Sequence, residues 1–274
     1  MPELPEVETV RTYLDGHLRG RRIENVAVGL PRLVKNRTPE DFAASLSGCA
    51  FTSVSRRGKY LILHLDAPWD LLVHLRMTGS LLYGEKKDEY GERFVHLVFT
   101  LDKGYLFYRD IRTFGCLWLV PKDGPTGVKG YDSLGPDAVG PDFTADYLYK
   151  SLKKSHRFVK AFLLDQTKVA GLGNIYVDEA LFLAHIRPQR RCDKVTKKEA
   201  AALYEGIGKV LRQGLAHGGT TIRDFISGNG KEGQNQAFLN VYGREGQPCP
   251  LCGTPIRYEK QGGRGTHYCP ICQK

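Results

Sequence analysis

No stretch of this chain is apolar for long enough to cross a membrane, which removes membrane-spanning transport and anchoring from the functions to consider. The opening MPELPEVETV is acidic and carries two prolines, so the basic and apolar regions of a signal peptide are missing and a cytoplasmic location is expected. Acidic side chains are in deficit: 30 Asp and Glu stand against 40 Lys and Arg, giving a formal charge of +10 and a pI near 9.2. A folded protein has no need of surplus cations for its own stability, and nucleic acid is the commonest polyanionic partner. Methionine is scarce, with a single one beyond the initiator. The seven cysteines, an odd number in a long chain, do not read as a disulfide framework. Internal repeats and low-complexity tracts are also missing.

What is present suffices for a sizeable core: 274 residues, 41% of them apolar, make one large or two medium domains. Four of the cysteines lie at the end of the chain, where Cys249, Cys252, Cys269 and Cys272 give C-x2-C, sixteen residues with a Gly-rich turn, and C-x2-C again. Two such knuckles joined by a hairpin form a closed tetrahedral thiolate site, suited to one structural zinc ion and leaving no open position for chemistry. Cys49, Cys116 and Cys192 have no partner at ligand spacing and read as ordinary thiols.

Up to about residue 120, short alternating or apolar runs such as YLILHL, DLLVHLRM and CLWLV are separated by Gly and Asp turns. This pattern predicts a β-rich domain of two packed antiparallel sheets. A first helix starts almost at the terminus, since Val7, Val10, Leu14 and Leu18 recur at helical spacing behind Pro2 and Pro5. An anchored chain end is unusual and suggests that the end group has a use. YDSLGPDAVGPDF reads as a connection, after which the pattern turns helical, with Thr196 and Glu199 spaced for a capping box. The fold class is therefore multi-domain α+β.

Basic residues gather in KKSHRFVK and RPQRRCDKVTKK, each of which, taken alone, reads better as a solvated helix face or loop. Between them, VAGLGNIYVDE puts Gly171 and Gly173 directly before a helix starting near Asn174. A glycine-rich entry exposes backbone N–H groups to an anion, with Asn174 able to cap the helix or bind a phosphate oxygen. The placement favours a clamp on DNA phosphates.

PELPEVET, RRGKYL, HLRMTG, DIRTFG, QTKVAGLGNIYVDE and GRGTHYCPICQ, in that order along essentially the whole chain, resemble the formamidopyrimidine-DNA glycosylase family. The resemblance implies an N-terminal β-sandwich catalytic domain over 1–133 and a linker over 134–142. It implies a helix-two-turn-helix domain over 143–237 with a lesion-recognition loop at 218–238, and a zinc-finger hairpin over 238–274. The expected activity is removal of oxidised purines, 8-oxoguanine and formamidopyrimidines, from double-stranded DNA by a monomeric bifunctional glycosylase and lyase. A related branch acting on oxidised pyrimidines is expected to carry glycine in place of Leu4, and a non-enzymatic zinc-containing DNA-binding protein would leave Pro2 and Glu3 without a purpose.

After removal of Met1, Pro2 would carry a free secondary amine, whose low α-amino pKa leaves a useful neutral fraction for attack on the sugar C1′. By resemblance, Glu3 is the acid that opens the sugar ring, Lys59 contacts a phosphate and assists elimination, and Arg264 binds a phosphate and assists the last elimination step. Glu6 has two readings, orienting Glu3 or favouring the positive end of the first helix. Lys160 and Asn174 are expected to grip the DNA backbone, with His74 and Tyr242 as further contacts. Met77, Arg112 and Phe114 match the residues that fill the gap left by an extruded base, and are expected to be exposed.

Overall fold

The computed structural model describes all residues, 1–274. They form two compact units, Met1–Asp132 with His217–Gln234, and Ser133–Ala216 with Asn235–Lys274. None of the helices is long and apolar enough to cross a membrane.

The first unit is a β-sandwich. Helix α1 (Leu4–Leu18) is followed by β1 (Ile23–Val28), α2 (Pro39–Leu46), β2 (Phe51–Arg57), β3 (Tyr60–Leu65), β4 (Trp69–His74) and β5 (Gly79–Gly84). Strands β6 (Val95–Leu101), β7 (Tyr105–Asp110) and β8 (Cys116–Pro121) and the single turn α3 (Lys129–Asp132) complete it. The strands pair as two antiparallel four-stranded sheets, in orders β1-β6-β7-β5 and β2-β3-β4-β8. Alternation sorts the side chains: Leu61, Leu63, Leu71 and Val73 enter the core with Leu81, Phe99 and Leu106 of the other sheet. Helix α1 contributes Val7, Val10, Leu14 and Leu18, all fully buried, which is how a helix beginning at residue 4 is held in place.

The loop 217–234, expected with the helical domain, belongs to this first unit. Phe225 enters the sandwich core, and the Tyr83 N–H on edge strand β5 donates to the Gly228 carbonyl. Burial of one aromatic and pairing to a strand edge decide its allegiance.

The second unit holds α4 (Ala145–Lys153), α5 (Val159–Leu163), α6 (Asn174–Leu183) and α7 (Lys197–Ala216), then the hairpin β9 (Arg257–Gln261) and β10 (Arg264–Tyr268). The capping box at the start of α7 is formed, with Thr196 N–H donating to Glu199 at 2.8 Å and Glu199 N–H to Thr196 Oγ1 at 3.3 Å. The expected linker is an ordered part of this unit: Ala138 N–H donates to Ala170 O, and Ala170 N–H to Pro136 O.

Candidate active site and metal centre

Pro2, Glu3 and Glu6 are buried at the start of α1, where Glu3 is the N-cap and closes a capping box with Glu6. The Glu3 N–H donates to Glu6 Oε2 at 2.8 Å, and Glu6 Oε1 accepts the Thr220 N–H at 2.7 Å. One carboxylate therefore joins the chain start to the loop 217–234. Gly219 makes this approach possible: its φ is +87°, and a Cβ there would lie 3.0 Å from Glu6 Cγ. Glu6 thus both occupies the first turn of α1 and holds the Glu3 and Thr220 backbone.

The terminal amine, borne by Met1, is held below the usual α-amino range, chiefly by desolvation and against the pull of Glu3 and Glu6; the Lys59 charge adds to the lowering. Lys59 stands at the tip of the β2–β3 hairpin, behind Gly58 with φ +59°, and is only 5% exposed. Its charge also acts on His74, whose pKa is pushed down to about 3 by burial first and by Arg76 and Lys59 next. His74 Nδ1 accepts the Arg76 N–H at 2.9 Å, so the proton of the neutral ring is on Nε2, a donor of the kind a phosphate oxygen needs.

Met77, Arg112 and Phe114 are exposed as expected, on the β4–β5 and β7–β8 turns. Both turns hold a left-handed residue other than glycine, Arg76 and Thr113, each at φ +56°. Asp110, fully buried, binds the turns together: Oδ1 accepts Thr78 Oγ1–H at 2.5 Å and the Arg112 N–H at 3.2 Å, and Oδ2 accepts the Gly115 N–H at 2.8 Å. Strained backbone persists only where its surroundings over-determine it, and Asp110 does so here.

In the second unit, Gly173 is the N-cap of α6 and supplies no side-chain bond to it. Asn174 does not cap; its Nδ2 donates to Gly265 O at 2.8 Å. Lys160 departs from expectation. It is 1% exposed, its ammonium lies 2.6 Å from Asp178 Oδ1 and donates to Gly265 O at 2.8 Å. A cation enclosed with a carboxylate has no solvent face to offer a DNA phosphate, so Lys160 is a tether between the helices and the hairpin. Tyr242, half-buried, packs its ring 4.9 Å from that of His267 and donates its N–H to Glu179. Arg264 is exposed beside the Gly262–Gly263 turn, whose φ values of +55° and +77° suit a two-residue hairpin.

Cys249, Cys252, Cys269 and Cys272 bring their four sulfurs within 4.8 Å of one another. A tetrahedral zinc with bonds of about 2.3 Å requires sulfurs about 3.8 Å apart, and the Cys249–Cys272 and Cys252–Cys269 pairs lie at 3.9 and 3.5 Å. The residues thus fit one zinc ion. The Leu251 and Cys272 N–H groups point at Cys249 and Cys269 Sγ, while Gln273 accepts the Cys269 N–H and donates to Ile186 O. Cys192, by contrast, is a buried thiol pushed up to about 11 by desolvation.

Family models match three stretches: the formamidopyrimidine-DNA glycosylase N-terminal domain at residues 1–117, its H2TH domain at 134–226, and a zinc finger found in FPG and IleRS at 246–274. The formamidopyrimidine-DNA glycosylase of Pelotomaculum thermopropionicum is 47% identical over 100% of this chain and 99% of its own length. The chain belongs to the formamidopyrimidine-DNA glycosylase family. The Bacillus licheniformis member is 46% identical with full coverage of both chains. The structure of a Lactococcus lactis FPG mutant in complex with Fapy-dG-containing DNA superposes with a TM-score of 0.93 at 38% identity, covering both chains fully.

Reading the sequence for glycosylase chemistry left out three buried carboxylates that hold neighbouring segments together. Asp110 holds the two turns, Asp178 holds Lys160 and the His267 N–H, and Glu179 accepts from Asn240 N, Asn240 Nδ2, Val241 N and Tyr242 N at 2.8–2.9 Å. Asp178 and Glu179 lie in the fully apolar-flanked run YVDEALFL of α6, and acidic residues inside such a run are the available signal.

Proposed function

We propose that Pro2, freed by removal of Met1, is the nucleophile with which this glycosylase excises 8-oxoguanine and formamidopyrimidines from duplex DNA, acting as a monomer associated with cytoplasmic DNA. The observation that carries this is the terminal amine set among Glu3, Glu6 and Lys59 with its pKa lowered by desolvation. Lowering the pKa of an amine at this position enlarges its neutral fraction, the form that can attack. Its lone pair bonds to C1′, the damaged base departs, and Glu3 protonates the ring oxygen to open the sugar. The resulting iminium acidifies the C2′ hydrogen, so strand scission follows by β- and then δ-elimination, with Lys59 and Arg264 contacting the flanking phosphates. His74 Nε2–H and Asn174 at the start of α6 add backbone contacts, with Tyr242 beside the hairpin. Met77, Arg112 and Phe114 fill the gap in the duplex, Arg112 addressing the acceptor edge of a partner cytosine. Zinc holds the hairpin and takes no part in bond breaking.

Borohydride trapping on a duplex bearing 8-oxoguanine tests the assignment. Pro2→Gly is expected to retain DNA binding and lose most of the trapped adduct; normal trapping by protein whose N-terminus is irreversibly blocked refutes it.

A further inference from the structure

The sheet β2-β3-β4-β8 has a second face, on which His74 lies at one end of β4 and Asp70 at the other, and the Asp70 end has no role in the DNA chemistry proposed above. While Val54, Leu61, Leu63 and Leu71 point into the core, the alternation sends Ser55, His64 and Asp70 to the opposite side. There they form a chain: Ser55 Oγ lies 2.7 Å from His64 Nε2, and His64 Nδ1 lies 2.7 Å from Asp70 Oδ2. Asp70 is 7% exposed and fixed by the Leu65 N–H, which donates to its other oxygen at 3.2 Å. An ionised carboxylate only accepts, so a neutral His64 carries its proton on Nδ1 and turns the Nε2 lone pair to Ser55, whose hydroxyl must donate. Nucleophile, base and base-orienting acid thus stand in the order and at the distances that hydroxyl activation needs.

The chain opens on a cavity of about 470 Å³, within the range that small ligands occupy. Ile62, Leu72 and Val120 supply an apolar wall, and Arg57, two residues beyond Ser55 on the same strand, brings a guanidinium that stacks over Tyr131 at 5.4 Å. We propose that Ser55, His64 and Asp70 form a second, hydrolytic site that takes short-chain carboxylic esters, with the acyl chain against Ile62, Leu72 and Val120. Ser55 Oγ bonds to the carbonyl carbon as its proton passes to His64 Nε2, and the Arg57 cation faces the charge that builds on the carbonyl oxygen. The carbon–alkoxy bond breaks, and the alcohol leaves with that proton. Water then attacks the acyl-serine, giving one proton to His64 and returning it to Ser55 as the carboxylic acid departs.

A fluorophosphonate probe with peptide mapping tests the site on the full-length, zinc-loaded protein; mapping is needed because the terminal amine can itself be acylated by activated esters. One adduct at Ser55 is expected, absent in Ser55→Ala and formed at least about 100-fold more slowly in His64→Gln, the loss that removal of a general base brings. Ser55→Ala is expected to keep its thermal unfolding and its borohydride trapping on lesion DNA, and to lose hydrolysis of p-nitrophenyl butyrate beyond the single turnover of the amine. No adduct at Ser55 in folded protein, or labelling that His64→Gln leaves unchanged, overturns the proposal and leaves the three residues as a polar network on a sheet face.

Discussion

Replacing Lys160 by methionine keeps the volume of the side chain and removes its charge, leaving Asp178 fully buried without its cation. Breaking a buried pair from one side costs about 3–5 kcal/mol, a large part of the 5–15 kcal/mol that typically holds a domain folded. Asp178→Asn on top of Lys160→Met should restore most of that loss. The amide oxygen can still accept the His267 N–H, now 2.9 Å from Oδ2, and Gly265 O keeps its bond from Asn174 at 2.8 Å. Both tryptophans, Trp69 and Trp118, lie in the first unit. Tryptophan fluorescence is therefore blind to this transition, and urea unfolding has to be followed by zinc release and by helical circular dichroism. The same proteins separate a tether from a phosphate contact. A tether predicts that Lys160→Met weakens lesion-DNA binding and that the double variant recovers it together with stability. Recovery of stability with DNA affinity still lost, or a single variant as stable as the parent, refutes the structural assignment.

Three further outcomes follow from the geometry. His74 titrates near 6.5 unfolded and at about 3 folded, so between those values the unfolded state holds one more proton and stability falls as pH is lowered, by up to about 1.4 kcal/mol per pH unit. His74→Gln should remove that part of the acid slope in unfolding followed by tryptophan fluorescence; an unchanged slope contradicts a neutral buried ring. Asp110→Asn keeps an acceptor for Thr78 and Arg112 but sets an amide N–H against that of Gly115, costing about 1–3 kcal/mol. Its incision should discriminate less between 8-oxoguanine opposite cytosine and opposite adenine, and full discrimination would free the two turns from Asp110. Cys249→Ser should release zinc and abolish tight DNA binding while the tryptophan-detected transition of the first unit stays in place, as read by elemental analysis and unfolding curves.

Much of this protein is written in short-range pattern. The period-two runs laid down both sheets, the spacing of Cys249, Cys252, Cys269 and Cys272 announced a thiolate cluster, and Thr196 with Glu199 marked the start of α7. Met77 and Phe114 were expected to be exposed through the family resemblance, with Thr113 and Gly115 flanking Phe114, and both are exposed. Such signals need only residues a few positions apart, whose geometry the backbone fixes locally. The partners of the charged residues are another matter. Lys160, expected from the family resemblance to be a phosphate contact, meets Asp178 eighteen positions away, and Glu6 meets Thr220 across 214. Glu179 reaches residues 240–242, and the loop 217–234 joins the sandwich instead of the helices that precede it. A charged side chain carries no mark of whether it will be solvated or enclosed, because that depends on which distant segment removes its water. Periodicity and ligand spacing were therefore settled by the sequence itself, whereas the pairing of buried charges, and with it the positioning of the site, was decided by tertiary packing.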